Sequence, residues 1–254
     1  MRVRMISGLA LPDRFRRRLG DVTGRGVTIG IVDSGFSHRG LVPRTSILPE
    51  LAPLPPDTTA KHTRAAGDDR LGHGTACLTT AYRVAPGATF RSIRLFVEEL
   101  HATPDALCRA IEAAEVTGCR IVNLSLRVEL GDWAERVYAA CERARDAGLI
   151  LVAASHGERL VSLPAWFDNV LSVASGPQLD PFEFFALPEG PIDIRASCGI
   201  AGRITTADGE FTAKSIPSYS APLVSGIVAL ILERYQEARL DEVREILREL
   251  ATPA

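Results

Sequence analysis

The sequence predicts an α/β fold, a doubly wound, mostly parallel sheet flanked by helices. Three observations carry this. Short β-branched apolar runs recur along the chain and stay free of charge until their ends, as strands buried on both faces do. Segments with helical start and stop signals separate them, and strands alternating with helices build a parallel sheet. The 254 residues, 46% hydrophobic and 24% charged, suit one large α/β domain or two small ones.

Taken in order, residues 1–24 form a short basic extension, and 25–254 hold the rest of the fold. Gly24 and Gly26 introduce VTIGIVD (27–33), a buried strand. The stretch LPELAPLPPDTTAKHTRAAGDDR is proline-rich and then polar, a surface loop. LGHGTACLTTAYRVAP (71–86) reads as a glycine-rich entry into a short helix, and FRSIRLF (90–96) as a second strand. Residues 103–119 predict a helix with Thr103 as N-cap, Pro104 at its first position and Gly118 past its end. RIVNLSLRV (120–128) is a third strand. Residues 132–148 form a helix capped by Asp132 and ended by Gly148. LILVAAS (149–155) and NVLSVAS (169–175) are further strands, and IDIRAS with RITTADGEFTA suggests a hairpin. A helix begins near Ser218, and LDEVREILREL (240–250) closes the chain.

Composition narrows the function. A net charge of −2 argues against a nucleic-acid binder working by bulk charge. No apolar run reaches the roughly 18–20 residues of a membrane span. The N-terminal stretch has only a short, interrupted apolar segment, a poor signal-peptide core. Cys77, Cys108, Cys119, Cys141 and Cys198 are odd in number and lack a CxxC spacing. They read as reduced thiols, and a cytoplasmic location is the expectation.

Ligands of such sheets sit beyond the carboxyl ends of the strands. That directs attention to Asp33, to Ser125, Leu126 and Arg127, and to Ser155 and His156. Asp33 is either a cap or salt-bridge partner, or an acid with a chemical task. His73, between two glycines, is either structural or a base within reach of a strand-end acid. Ser218, ahead of Pro222 in PSYSAPLVSGIVALILERY, is either a capping serine or a nucleophile at a helix start. A serine hydroxyl needs a base to take its proton, and the base needs an acid to orient it.

Six segments in register decide among these. GRGVTIGIVDSG, LGHGTACLTTAYRVAPGA, RIVNLSL, LVAASHGE, LPAWFDNVLSVAS and PSYSAPLVSGIVALI resemble, in order, the motifs of the subtilisin-like serine peptidases (subtilases). The resemblance implies the three-layer fold of that family. It implies Asp33 as orienting acid, His73 as general base and Ser218 as nucleophile. RIVNLSL then carries the substrate strand, with Ser125, Leu126, Arg127, Ala154 and Ser155 as substrate-binding residues.

The chain departs from the family pattern in three places. His156 stands where the family has an oxyanion asparagine; it either donates a ring N–H in its place or fills space and weakens the site. Ile216 and Pro217 replace Gly-Thr before the nucleophile and make the adjoining pocket smaller. Arg127 replaces a glycine and either fills a subsite or recognises an acidic residue by a bidentate contact. Ser155, where glycine is usual, narrows the primary pocket, so a small residue before the cut is expected.

The resemblance implies a peptide or protein substrate, no cofactor and no obligatory metal. The family's tight calcium loop is missing after His73, and acids such as Asp68 and Asp69 do not rebuild a set of about 6–8 oxygens. Neither nucleic acid nor membrane is an expected partner; a partner protein for activation or substrate delivery fits the narrowed site. Asp33 lies too early for a pro-segment ahead of it. The leading reading is a selective serine endopeptidase. The alternatives are a catalytically impaired module that binds a peptide or partner protein, and acyl transfer to an amine.

Overall fold

The structure is a computed structural model and describes residues 7–37, 42–51, 69–96, 99–157, 160–176, 180–198, 202–206, 209–213 and 217–253. Among these, eight strands form one sheet: β1 (Thr28–Asp33), β2 (Ile47–Leu51), β3 (Thr89–Arg94), β4 (Ile121–Leu124), β5 (Ile150–Ser155), β6 (Leu171–Ser175), β7 (Phe184–Ala186) and β8 (Ile194–Ala196). Their order is β2-β3-β1-β4-β5-β6-β8-β7. Every neighbouring pair is parallel except β7 with β8. β9 (Gly202–Thr206) and β10 (Gly209–Ala213) form a separate antiparallel hairpin. RITTADGEFTA is therefore a hairpin by itself, while the IDIRAS segment joins the main sheet as β8.

Helices cover both faces. α3 (Pro104–Val116) and α4 (Ala134–Asp146) bury Leu107, Ile111, Val137 and Cys141 against one face. α1 (Asp13–Leu19), α2 (His73–Val84), α5 (Ser220–Arg234) and α6 (Leu240–Leu250) close the other. α5 is apolar nearly all round, with every residue from Ser220 to Leu232 buried, as a helix at the centre of a layer must be. α1 docks through Phe15, whose ring meets Phe182 and Phe184 edge-on at 5.1 and 6.5 Å. Thus part of the basic extension packs against β7, α5 and α6.

Three further elements differ from the sequence reading. β2 falls inside the stretch read as loop. Pro49 masks it, and it is tolerated because β2 is an edge strand with a register shift between Leu48 and Leu51. The third strand stops at Leu124, freeing residues 125–127, and Val128 instead bridges Leu163 in antiparallel fashion. Asp132 does not cap α4: the Ala134 N–H bonds the Gly131 carbonyl at 2.9 Å, and Trp133 occupies the cap position. Thr103 does cap α3, accepting the Ala106 N–H at 3.3 Å.

Candidate active site

β1, β4 and β5 lie side by side and parallel, so their carboxyl ends share one edge of the sheet. Asp33 ends β1 and is fully buried. It accepts the Ser34 N–H at 2.7 Å, and His73 Nδ1 lies 2.9 and 2.8 Å from its two oxygens. His73 is the first residue of α2, and the chain reaches it through Gly72 at φ +71°, where other residues are strained. Gly74 follows because a Cβ there would meet the Gly35 carbonyl oxygen at 2.3 Å. That close approach brings the helix start against the end of β1.

Asp69 holds the same turn from the other side. Its carboxylate accepts the N–H groups of Gly72 and Thr75, both at 2.8 Å, and the Thr75 hydroxyl at 2.5 Å. Asp69 is thus the cap of the histidine helix, a role the sequence did not reveal. Asp68 and Ile216 lie outside the described residues.

Electrostatics follow from this packing. Burial opposes a charge on His73, but the adjacent Asp33 carboxylate outweighs it and lifts the imidazole pKa above its ordinary 6.5. Cys77, one turn along α2, is buried and points its thiol at Asp33 Oδ2 (3.5 Å). Burial, reinforced by the Asp33 charge, pushes that thiol up to about 11, so it stays an S–H donor. The ligand atoms of Asp33, His73 and Cys77 lie within 4.8 Å of one another. Tyr219 closes the group; its ring centroid is 5.3 Å from that of His73, tilted by 32°, and it is buried.

Ser218 lies in the 3₁₀ turn Pro217–Tyr219 that leads into α5. Tyr219, the residue after Ser218, stands at the N-cap of α5 and makes no side-chain cap bond. The Ser218 carbonyl accepts the Ser125 hydroxyl at 2.8 Å. Ser125 Oγ accepts the Asn123 side-chain amide at 2.9 Å, and Asn123 Oδ1 lies 3.2 Å from the Ser225 hydroxyl. This chain ties the first turns of α5 to the end of β4, and sequence reasoning missed both Asn123 and Ser225.

One cleft of about 470 Å³ unites the groups: its walls include His73, Ser218, Ser125, Leu126, Arg127 and His156. His156 follows β5 as an exposed side chain. Partial desolvation, then the Arg127 charge, lowers its pKa and favours the neutral ring. Two candidates fall elsewhere. Ala154 is fully buried in the core behind β5 and does not line the cleft. Ser155 is buried beneath it, its hydroxyl 3.4 Å from the Trp166 indole nitrogen. Both faces of β5 are covered, so each of its residues is buried whichever way it points, and only the residue past the strand end, His156, reaches the opening.

A model of the subtilase family matches residues 24–183. The chain belongs to this family. Subtilisin DY of Bacillus licheniformis is 26% identical over 246 residues, covering 90% of this chain and 85% of that protein. The thermostable alkaline protease of Halalkalibacterium halodurans is 27% identical over 195 residues, 72% of this chain and 53% of the relative. The chain thus spans about half the length of that relative. Among solved structures, a cold-adapted subtilisin-like serine proteinase superposes with a TM-score of 0.71 at 18% identity, covering 96% of this chain and 88% of the other. The fold of this subtilase is therefore that of the family, as the motifs implied.

Proposed function

We propose that this subtilase is a serine endopeptidase of narrow specificity, working through Asp33, His73 and Ser218. The observation that carries this is the His73 ring, held by Asp33 at one nitrogen and set in the wall of the cleft that Ser218 also lines. Ser218 Oγ attacks the scissile carbonyl while His73 Nε2 takes its proton. The electron pair of the carbonyl moves to oxygen, and His156 donates a ring N–H to that oxyanion. Collapse expels the amine, which takes the proton from His73, and leaves an acyl-enzyme. Water, deprotonated by His73, then releases the acid. A neutral His156 supports this role because it retains one N–H without carrying charge beside Arg127. Ser155, next to the cleft residue His156 and standing where the family has glycine, supports a preference for a small residue before the cut. Family membership supports peptide or protein as substrate.

The test is labelling by a fluorophosphonate, read by intact mass. We expect one adduct on the wild type and none on Ser218→Ala. A folded wild type that takes no label would favour the impaired, peptide-binding module instead.

A second expectation concerns pH. The base must be neutral, and Asp33 raises its pKa, so kcat/KM should climb with pH with a midpoint above 6.5. The same shift stabilises the fold below that ordinary value and is lost as pH rises through the folded pKa. A pH–rate profile with its midpoint at or below the ordinary imidazole value would contradict the Asp33–His73 pairing.

A further inference from the structure

The cleft of this subtilase is unevenly supplied with hydrogen-bonding groups. Arg127, His101, His156 and the Thr103 hydroxyl line it as potential donors, and Glu129 is the one carboxylate among the described residues that line it. Arg127 and Glu129 do not satisfy each other. Their closest atoms are 3.8 Å apart, and Glu129 is 84% exposed while Arg127 is 32% exposed. A pair that long and that wet contributes little. Thr103 uses its oxygen to accept the Ala106 N–H, which leaves its own proton to donate. The nearby Asp105 is bound to Arg136. Beside His73, Ser218 and the Ser125 hydroxyl, the rest of the wall includes the apolar Phe96, Leu126, Val128 and Trp133, which lowers the screening of a charge held against it.

We infer that the cleft selects substrates carrying an acidic side chain beside the scissile bond, with Arg127 as the specificity-determining residue and His101 and Thr103 as supporting donors. The inference rests on the peptidase reading and names its substrate class. An entering carboxylate meets the planar guanidinium, which can bind both its oxygens. An entering lysine or arginine meets Arg127 as a like charge and, among the described lining residues, finds as a carboxylate only the exposed Glu129. A neutral side chain leaves Arg127 partly desolvated without a new partner. Discrimination of this kind needs both the attraction and the repulsion.

The experiment is cleavage of a positional peptide library by the full chain, as wild type, Arg127→Gln and Arg127→Glu, each first checked by thermal melting. In parallel, fluorescent peptides that differ only in Glu against Lys at the scanned positions are titrated onto Ser218→Ala. We expect acid over base by about 10-fold in kcat/KM at one position next to the cut. The ratio should approach one in Arg127→Gln, invert in Arg127→Glu, and shrink with added salt. The Ser218→Ala titrations should show the same order in Kd. No acid preference at any position, or a preference that both Arg127 variants leave unchanged, overturns the inference. Failure of the peptidase reading looks different: the wild type then takes no fluorophosphonate, while the Ser218→Ala titrations still decide whether the cleft prefers the acid.

Discussion

Asp33→Asn should lower kcat by about 10⁴-fold while leaving the fold intact. The replacement has the same shape, and β1 keeps its full pairing with β3 and β4. What changes is the proton on His73. Asp33 now accepts from Nδ1 at 2.8–2.9 Å, which keeps the Nε2 lone pair free. An amide nitrogen turned to the ring would donate to Nδ1, place the proton on Nε2 and leave no base for Ser218. An amide oxygen turned to the ring would keep the tautomer, but the charge that stabilises the imidazolium would be gone. The Ser34 N–H, a donor 2.7 Å from Oδ1, needs an acceptor there, which sets the amide nitrogen at the Oδ2 position, 2.8 Å from Nδ1, and favours the first orientation. The check is steady-state kinetics together with the melting temperature. A variant within tenfold of wild type would remove Asp33 from the role of orienting acid. A variant that melts far below wild type would show that the effect is structural.

The elements that place this constellation were readable because the chemistry repeats the backbone logic. Asp33 had to end an uncharged strand, and His73 had to stand between glycines, for a base to reach a strand-end acid. The fold class was legible for a similar reason: uncharged β-branched runs have no other stable home than a doubly covered sheet. What stayed hidden depends on contacts distant in sequence. Asp69 reads as one acid among several until Thr75 and Gly72 turn their N–H groups onto it. Tyr219 reads as a neighbour of Ser218, and only the fold lays its ring beside His73. Asn123 looks like a polar flaw in an apolar strand, and its partner Ser225 lies 102 residues away. Ser155 and Ala154 read as cleft residues from their place in a motif, yet both are buried, because burial at a strand's end is set by the layers that cover it.

Asp69→Ala is expected to cost about 3 kcal/mol, since three buried donors lose their acceptor at once and each orphaned group carries about 1–3 kcal/mol. For a chain of this length that lowers Tm by roughly 10 °C. The damage should also reach the chemistry. Gly72, Gly74 and Thr75 surround His73, and Gly74 has no slack, as its contact with Gly35 shows. A turn that relaxes outward carries the imidazole away from Ser218, and a misplacement of about 1 Å costs about 10²-fold in kcat. KM should change little, because Asp69 does not line the cleft. Thr75→Ser supplies the control: it keeps the hydroxyl that bonds Asp69 and accepts the Ser37 N–H at 2.9 Å, so it should stay near wild type in both Tm and kcat. Asp69→Ala matching wild type in melting and in kcat would mean that the histidine turn is held by the Gly74–Gly35 packing alone. A fall in Tm with unchanged kcat would make Asp69 a stabilising cap without influence on the base. A fall in both, with Thr75→Ser unaffected, would establish that the same three hydrogen bonds hold the helix start and aim the histidine.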